Sequence, residues 1–161
     1  MRKGDSTRQR IIEQAAPELK TDPNDALLNW FLTSAYEKTG DLARAIEERE
    51  KQAIAFGEDP QRAKQEFAAV RREFSVQGER AYWLSRQKSL ASSSWADPYD
   101  LAVVAARLGE TDATFVSLER AYQQRSVLLL YWLQTEPAFD RFRADSRFQD
   151  FLRRIGLAID A

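Results

Sequence analysis

The stretch EKTGDLARAI, residues 37–46, contains the feature that decides the fold: a glycine and an aspartate between two segments with apolar residues at helical spacing. Residues 108–122, LGETDATFVSLERAY, have a similar arrangement around Gly109, 69 positions after Gly40, with the acidic residue Glu110 after the glycine. Glycine commonly ends a helix because it adopts the left-handed conformation without a Cβ clash, and aspartate is a favoured N-cap of the next helix. Each stretch therefore predicts two helices joined by a tight turn.

Helical spacing extends over most of the chain, where apolar residues recur at three- and four-residue steps. Gly78 lies between the two turn glycines, so the three glycines are 38 and 31 residues apart. The segments TDPNDA (21–26) and ASSS (91–94) and the glycine Gly57 predict further breaks, with Asn24 or Asp25 as the cap after the first. The sequence thus predicts an all-α chain in which a helix–turn–helix unit occurs three times.

Composition excludes several classes of site. The 161 residues fit one domain, and 24 basic residues balance 25 acidic ones, so no strongly basic field is present. The chain has no cysteine and no histidine, which removes disulfides, thiolate nucleophiles and the commonest general base and metal ligand. No glycine-rich phosphate loop follows a strand. We therefore expect a protein that is not an enzyme and binds no cofactor.

The remaining candidates for chemistry have structural explanations. A metal site would need carboxylates alone, and we interpret the available aspartates as helix caps and ion pairs: Asp97, Asp100, Asp140 and Asp145. A basic cluster with interleaved aromatic residues could be a nucleic-acid patch, but nearby glutamates reduce its field. Nucleic acid is therefore not the expected partner. The cluster comprises Arg71, Arg72, Arg80, Arg86 and Lys88, with Tyr82 and Trp83 among them.

The termini and apolar runs predict no membrane segment. No apolar stretch follows MRKGDSTRQR, so we expect no signal peptide and a cytoplasmic location. The longest apolar run, residues 127–133, is far shorter than the roughly 20 residues that cross a bilayer. Because this run is apolar on all sides, we predict a buried helix, with a membrane-surface or dimer helix as the alternative.

The segment NWFLTSAYEKTGDLARAIE (29–47) resembles the first two-thirds of a tetratricopeptide repeat, and residues 101–122 resemble another. The glycine intervals are close to the ~34-residue period of that family. The matching positions are Trp30, Leu32, Tyr36, Gly40 and Ala45 in the first segment and Leu101, Ala102, Gly109, Leu118 and Ala121 in the second. Arg49 and Gln52 depart from the family pattern in the first pair. In the middle pair Arg71 and Trp83 stand where the family has small residues, so that repeat is expected to be rotated or splayed.

The C-terminal stretch EPAFDRFRADSRFQDFLRRIGL (136–157) is similar to the end of tetratricopeptide regions in bacterial signalling proteins, among them serine/threonine kinases and winged-helix regulators. Its apolar residues are expected to cap the last helix pair. The predicted organisation is a single helical-hairpin solenoid: a leading helix (1–21), a first repeat (22–57), a degenerate second repeat (58–94), a third repeat (95–125) and a capping segment (126–161).

The resemblance implies a non-catalytic module that binds a partner protein or peptide in a concave groove. Groove positions lie at four-residue steps along the first helix of each pair. Their charged members are all basic, which favours a segment with an acidic residue beside an apolar anchor. The alternative is a structural cap or homodimerisation element without a groove, so a monomer and a weak homodimer both remain open. The predicted groove set is Trp30, Ser34, Lys38, Ala68, Arg72, Val76, Tyr99, Val103 and Arg107.

Overall fold

The computed structural model describes residues 25–157, apart from the side chains of residues 26 and 27. Within this range the chain is helical and contains no strand, which confirms the predicted all-α class. The predicted leading helix (1–21) lies outside the described residues. The helices are α1 (Ala26–Thr39), α2 (Leu42–Ala55), α3 (Pro60–Gln77), α4 (Glu79–Ser92), α5 (Pro98–Leu108), α6 (Thr111–Gln123), α7 (Val127–Trp132), a 3-10 helix (Pro137–Phe142) and α8 (Ser146–Arg154).

The two glycine turns form as predicted. Gly40 and Gly109 both have a φ of +81°, a conformation that favours glycine. The Asp41 side chain accepts a hydrogen bond from the backbone N–H of Arg44 at 3.3 Å, which caps α2. Asp25 caps α1 in the same way, through the backbone N–H of residue 28 at 3.0 Å. These contacts confirm the helix starts and stops around both breaks.

The chain divides into two compact units, and the first unit ends at Tyr82. In this unit α1 and α2 form a closely packed hairpin, and α3 packs against α2. Ala45 is completely buried, and Leu32 and Ile46 are almost so. A small residue such as alanine at this point allows the two helices to approach closely.

Arg49 explains one departure from the repeat pattern. It is buried on α2, and its guanidinium lies 5.4 Å from the ring centroid of Phe67 and 5.4 Å from that of Tyr82. The Tyr82 hydroxyl donates a hydrogen bond of 2.6 Å to the carboxylate of Glu37. The guanidinium of a buried arginine thus lies beside two aromatic rings in the core of the first unit.

The second unit begins at Trp83, inside α4 and inside the predicted second repeat. Its centre is the closely packed hairpin of α5 and α6, against which the C-terminal segment buries its aromatic residues. This confirms the predicted capping by residues that recur at three- and four-residue steps. The buried members are Phe139, Phe142, Phe148, Phe151 and Leu152, and Ile155 is partly buried.

The prediction that the apolar run 127–133 forms a buried helix is wrong for half of the run. Leu129 and Leu133 are buried in the core of the second unit. Val127, Leu130 and Tyr131 are 60%, 55% and 75% exposed, because a helix of six residues turns only one side towards the core. The run is therefore two-sided, and an apolar strip of α7 faces the solvent.

Candidate functional site

Three of the predicted groove residues, Trp30, Ser34 and Lys38, follow one another at four-residue steps along α1, and all three are half-buried. The ring of Trp30 meets the ring of Phe31 edge to face, with centroids 5.0 Å apart. Phe31 itself is 39% exposed. The strip therefore combines an accessible aromatic pair at one end with an ammonium group at the other.

The second trio lies on α3. Ala68 is half-buried, Arg72 is exposed and Val76 is 83% exposed. Although α3 packs closely on α2, no comparable packing joins it to α1 within the described residues. The structure thus leaves the α1 and α3 trios as two strips rather than one continuous packed surface.

The third trio, on α5, is covered by the chain itself. Tyr99 and Val103 are buried, at 3% and 9% exposure, and belong to the core of the second unit. The 3-10 helix Pro137–Phe142 packs on this face of α5. Tyr99 is accordingly a packing residue here. Whether the nine residues bind a partner stays a prediction.

The covering segment makes two side-chain contacts on this face. The ring of Phe139 meets the ring of Tyr99 edge to face, with centroids 6.0 Å apart and planes at 65°. A carboxylate oxygen of Glu136 lies 3.6 Å from the guanidinium of Arg107, which also stacks 5.3 Å from the centroid of the buried Trp83. The face of α5 therefore binds one aromatic ring and one carboxylate.

This environment also affects the Tyr99 hydroxyl. Burial raises the pKa of Tyr99 well above its ordinary value, and the nearby carboxylate of Glu136 adds to the shift. The hydroxyl oxygen has no hydrogen-bond partner among the described residues. Tyr99 therefore remains neutral and acts through its ring.

Sequence reasoning missed a cleft between α6 and α8, with a volume of about 330 Å³. Its floor is formed by Phe115 and Phe151, which belong to separate helices and become neighbours only in the fold. The cleft is lined by Phe115, Glu119, Arg147, Asp150, Phe151 and Arg154.

The charged groups around this cleft are paired with one another. Arg154 forms an ion pair with Glu119, and Arg147 lies 3.1 Å from a carboxylate oxygen of Asp145. Hydrogen bonds from the Arg147 side chain and backbone lower the pKa of Asp145, and the same side-chain contact raises the pKa of Arg147. The rim is thus an ion-paired surface above an apolar floor, with no group placed for acid–base or nucleophilic chemistry.

An exposed apolar surface lies around α7. It comprises Val127, Leu130 and Tyr131. The Ser126 hydroxyl, which caps α7, donates a 2.9 Å hydrogen bond to Asp97 and so ties this end of the helix to the start of α5. Trp95, which is 92% exposed, precedes Asp97 by two residues. Exposed apolar side chains that lie together, as on α7, can mark an interaction site.

The structure also accounts for the other sequence candidates. Tyr82 and Trp83, the aromatic residues within the basic cluster, are 0% and 1% exposed, so neither ring is available to stack on bases. Asp97 and Asp145 cap α5 and α8. Within residues 25–157, no group of three potential ligand side chains is arranged to hold a metal ion.

No helix in the described part of the chain has the length and apolar character needed to cross a membrane. Comparison of the chain with protein-family models, with curated proteins and with solved structures gave no significant match.

Proposed function

We propose that the protein is a non-catalytic interaction module that binds a partner protein or peptide, with the half-buried strip of Trp30, Ser34 and Lys38 on α1 as its principal contact. The hairpins act as tetratricopeptide-like repeats of a helical solenoid, within a larger bacterial regulatory or signalling protein. The proposal rests on one observation above the others. The same helix face occurs twice, covered by a peptide segment on α5 and half-exposed on α1.

The strip on α1 has the properties of a peptide-binding surface. Aromatic side chains such as Trp30 and Phe31 contribute large contact areas at low entropic cost, and Lys38 provides a charge that orients an acidic ligand. On α3, Arg72 extends the basic character of the first unit.

Selection of a displayed random-peptide library on the immobilised full chain tests this function. Enriched peptides are expected to lose at least tenfold in affinity for the Lys38→Glu/Arg72→Glu variant, with unchanged helical circular dichroism. Arg107 is left intact because it contacts the buried Glu136. Equal binding of all selected peptides to both proteins would show that the basic strip is not the binding surface.

A second candidate function is homodimerisation, which the exposed strip of α7 favours. Leu130 and Tyr131 are more than half exposed on that helix. If this strip is a dimer interface, light scattering after size exclusion will give a dimer for the wild-type chain and a monomer for Leu130→Glu. A wild-type monomer at high protein concentration would exclude it.

A further inference from the structure

The faces of α1 and α5 correspond position by position. Each trio ends two residues before a glycine with a φ of +81°. Trp30 on α1 therefore corresponds to Tyr99 on α5, and Lys38 corresponds to Arg107. Both faces place an aromatic ring two helical turns before a cation, which makes the occupied face of α5 a template for α1.

The occupant of α5 has a simple chemistry. Glu136 is buried with its carboxylate towards Arg107, and the same carboxylate accepts a hydrogen bond of 3.2 Å from the backbone N–H of Ala138. Pro137 starts the 3-10 helix, and Phe139 is fully buried against Tyr99. An acidic residue therefore precedes the aromatic anchor by three positions, in a short helical turn that the acid itself caps.

The segment also has a defined direction on the helix. Its acidic end lies beside Arg107, in the last turn of α5, and its aromatic end lies beside Tyr99, in the first turn. The segment thus runs antiparallel to α5. A carboxylate beside the guanidinium and a ring beside the ring provide complementary charge and complementary apolar surface at two fixed points.

We infer that α1 binds a segment of a partner protein with the same chemistry: an acidic residue, a proline and, three positions after the acid, an aromatic anchor. The aromatic residue packs on Trp30 and the acid pairs with Lys38. Ser34 stands where α5 has Val103, and its smaller apolar surface predicts a weaker, reversible contact. This inference rests on the proposed function, because it specifies the partner of the same strip.

The chain's own segment is not the ligand of α1, because Glu136 and Phe139 are buried on α5. Within residues 25–157, α2 is the one helix that packs closely against α1.

The test uses a fluorescein-labelled peptide with the sequence of residues 134–141, QTEPAFDR, added to the full chain and followed by fluorescence anisotropy. Saturable 1:1 binding is expected. Lys38→Glu is expected to weaken it at least tenfold, and Lys38→Gln less. Lys64→Glu, the same charge change on an exposed residue of α3, is expected to leave affinity within twofold.

A charge swap makes the test specific. A peptide with the glutamate replaced by lysine is expected to bind the wild-type chain at least tenfold more weakly. Its affinity is expected to be restored with the Lys38→Glu variant of the protein. A peptide with the phenylalanine replaced by alanine is expected to lose binding to every variant. Absence of saturable binding overturns the inference. Binding that does not depend on residue 38 also overturns it, because it would indicate that the peptide displaces the chain's own segment from α5.

The library selection separates this failure from failure of the proposed function. Enriched peptides that depend on Lys38 but lack an acid three positions before an aromatic residue would retain the function and refute the inferred ligand. If the library yields no binder and the QTEPAFDR peptide does not bind either, both the proposed function and the inferred ligand are refuted. If light scattering shows dimers that form by exchange of C-terminal segments, the inference of a separate partner protein is refuted. The ligand of α1 would then be the segment of a second copy of the chain.

Discussion

The hairpin of α1 and α2 and the hairpin of α5 and α6 share their turn and differ in what covers the first helix. On α5 the 3-10 helix buries Tyr99, whereas on α1 the corresponding Trp30 is half-buried. The turns themselves are alike, since both glycines have a φ of +81°. A repeated turn thus does not determine whether the adjoining helix face belongs to the core or to the surface. On α5 it is the C-terminal segment that places this face in the core.

Each hairpin also contains an arginine that stacks on an aromatic ring, buried in the case of Arg49 and half-buried in the case of Arg107. Arg49 lies between Phe67 and Tyr82, and Arg107 stacks on Trp83. Arg107 also meets the carboxylate of Glu136 from the covering segment. The second unit therefore shows how the α5 face binds a carboxylate.

Removing the cover is expected to have the largest effect. Phe139 is fully buried and contacts both Tyr99 and Phe148, so Phe139→Ala is expected to lower the free energy of unfolding by about 3–5 kcal/mol. Urea denaturation followed by circular dichroism measures the change. Phe56→Ala, at a residue 72% exposed, is the matched control and is expected to change it by less than about 0.5 kcal/mol.

Truncation extends the same comparison. A chain of residues 1–135 lacks the whole covering segment, which exposes Tyr99, Val103 and Leu118. It is expected to aggregate or dimerise in light scattering, because an apolar surface of this size is rarely left exposed on a monomer. A stable monomer of residues 1–135 would contradict the role of the segment as a cover.

The turns provide an effect of intermediate size. Gly40→Val and Gly109→Val are each expected to cost about 1–2 kcal/mol, because a β-branched residue is strained at positive φ. Space is not limiting, since a Cβ at Gly40 meets nothing within 4 Å and one at Gly109 meets a flexible arginine end at 3.4 Å. Asparagine tolerates this conformation better, so Gly40→Asn is the control. Unchanged thermal midpoints in both valine variants would contradict the turn assignment.

Local sequence signals were sufficient for the helices and their ends. Gly40, Asp41 and Gly109 were predictable because helix termination and capping depend on residues a few positions apart. The pattern could not predict which side of residues 127–133 is buried, because a run that is apolar all round has no preferred face. Leu129 is buried and Leu130 is exposed, although the two are neighbouring leucines in the same apolar run.

The candidate site was predictable in position but not in accessibility. Trp30, Ser34 and Lys38 lie on one half-buried strip of α1, as their four-residue spacing predicts. The burial of Tyr99 depends on Phe139, forty positions further along the chain, and no local periodicity reports such a contact. Arg49 and Trp83 looked anomalous for the same reason, since their stacking partners are distant in sequence.

The smallest effect concerns the Tyr99 hydroxyl, which the cover buries without a hydrogen-bond partner among the described residues. Tyr99→Phe keeps the ring contact with Phe139 and removes the buried polar atom, so it is expected to raise stability by about 1 kcal/mol at neutral pH. Phe139 and Glu136 would otherwise keep their positions. The matched change on an exposed ring, Tyr131→Phe, is expected to have no measurable effect, since that side chain is 75% exposed.

The pH dependence of this substitution provides the sharper measurement. Burial raises the pKa of Tyr99 in the folded chain, whereas in the unfolded chain the hydroxyl ionises near its ordinary value of 10.0. Above that pH the unfolded state binds fewer protons than the folded state at this residue, so the wild-type chain loses stability as pH rises. Tyr99→Phe lacks this loss, and its advantage over the wild-type chain is therefore expected to widen between pH 9 and pH 11 in urea denaturation. A constant difference across that range would mean that Tyr99 ionises equally in both states, and hence that the C-terminal segment does not hold it buried on α5.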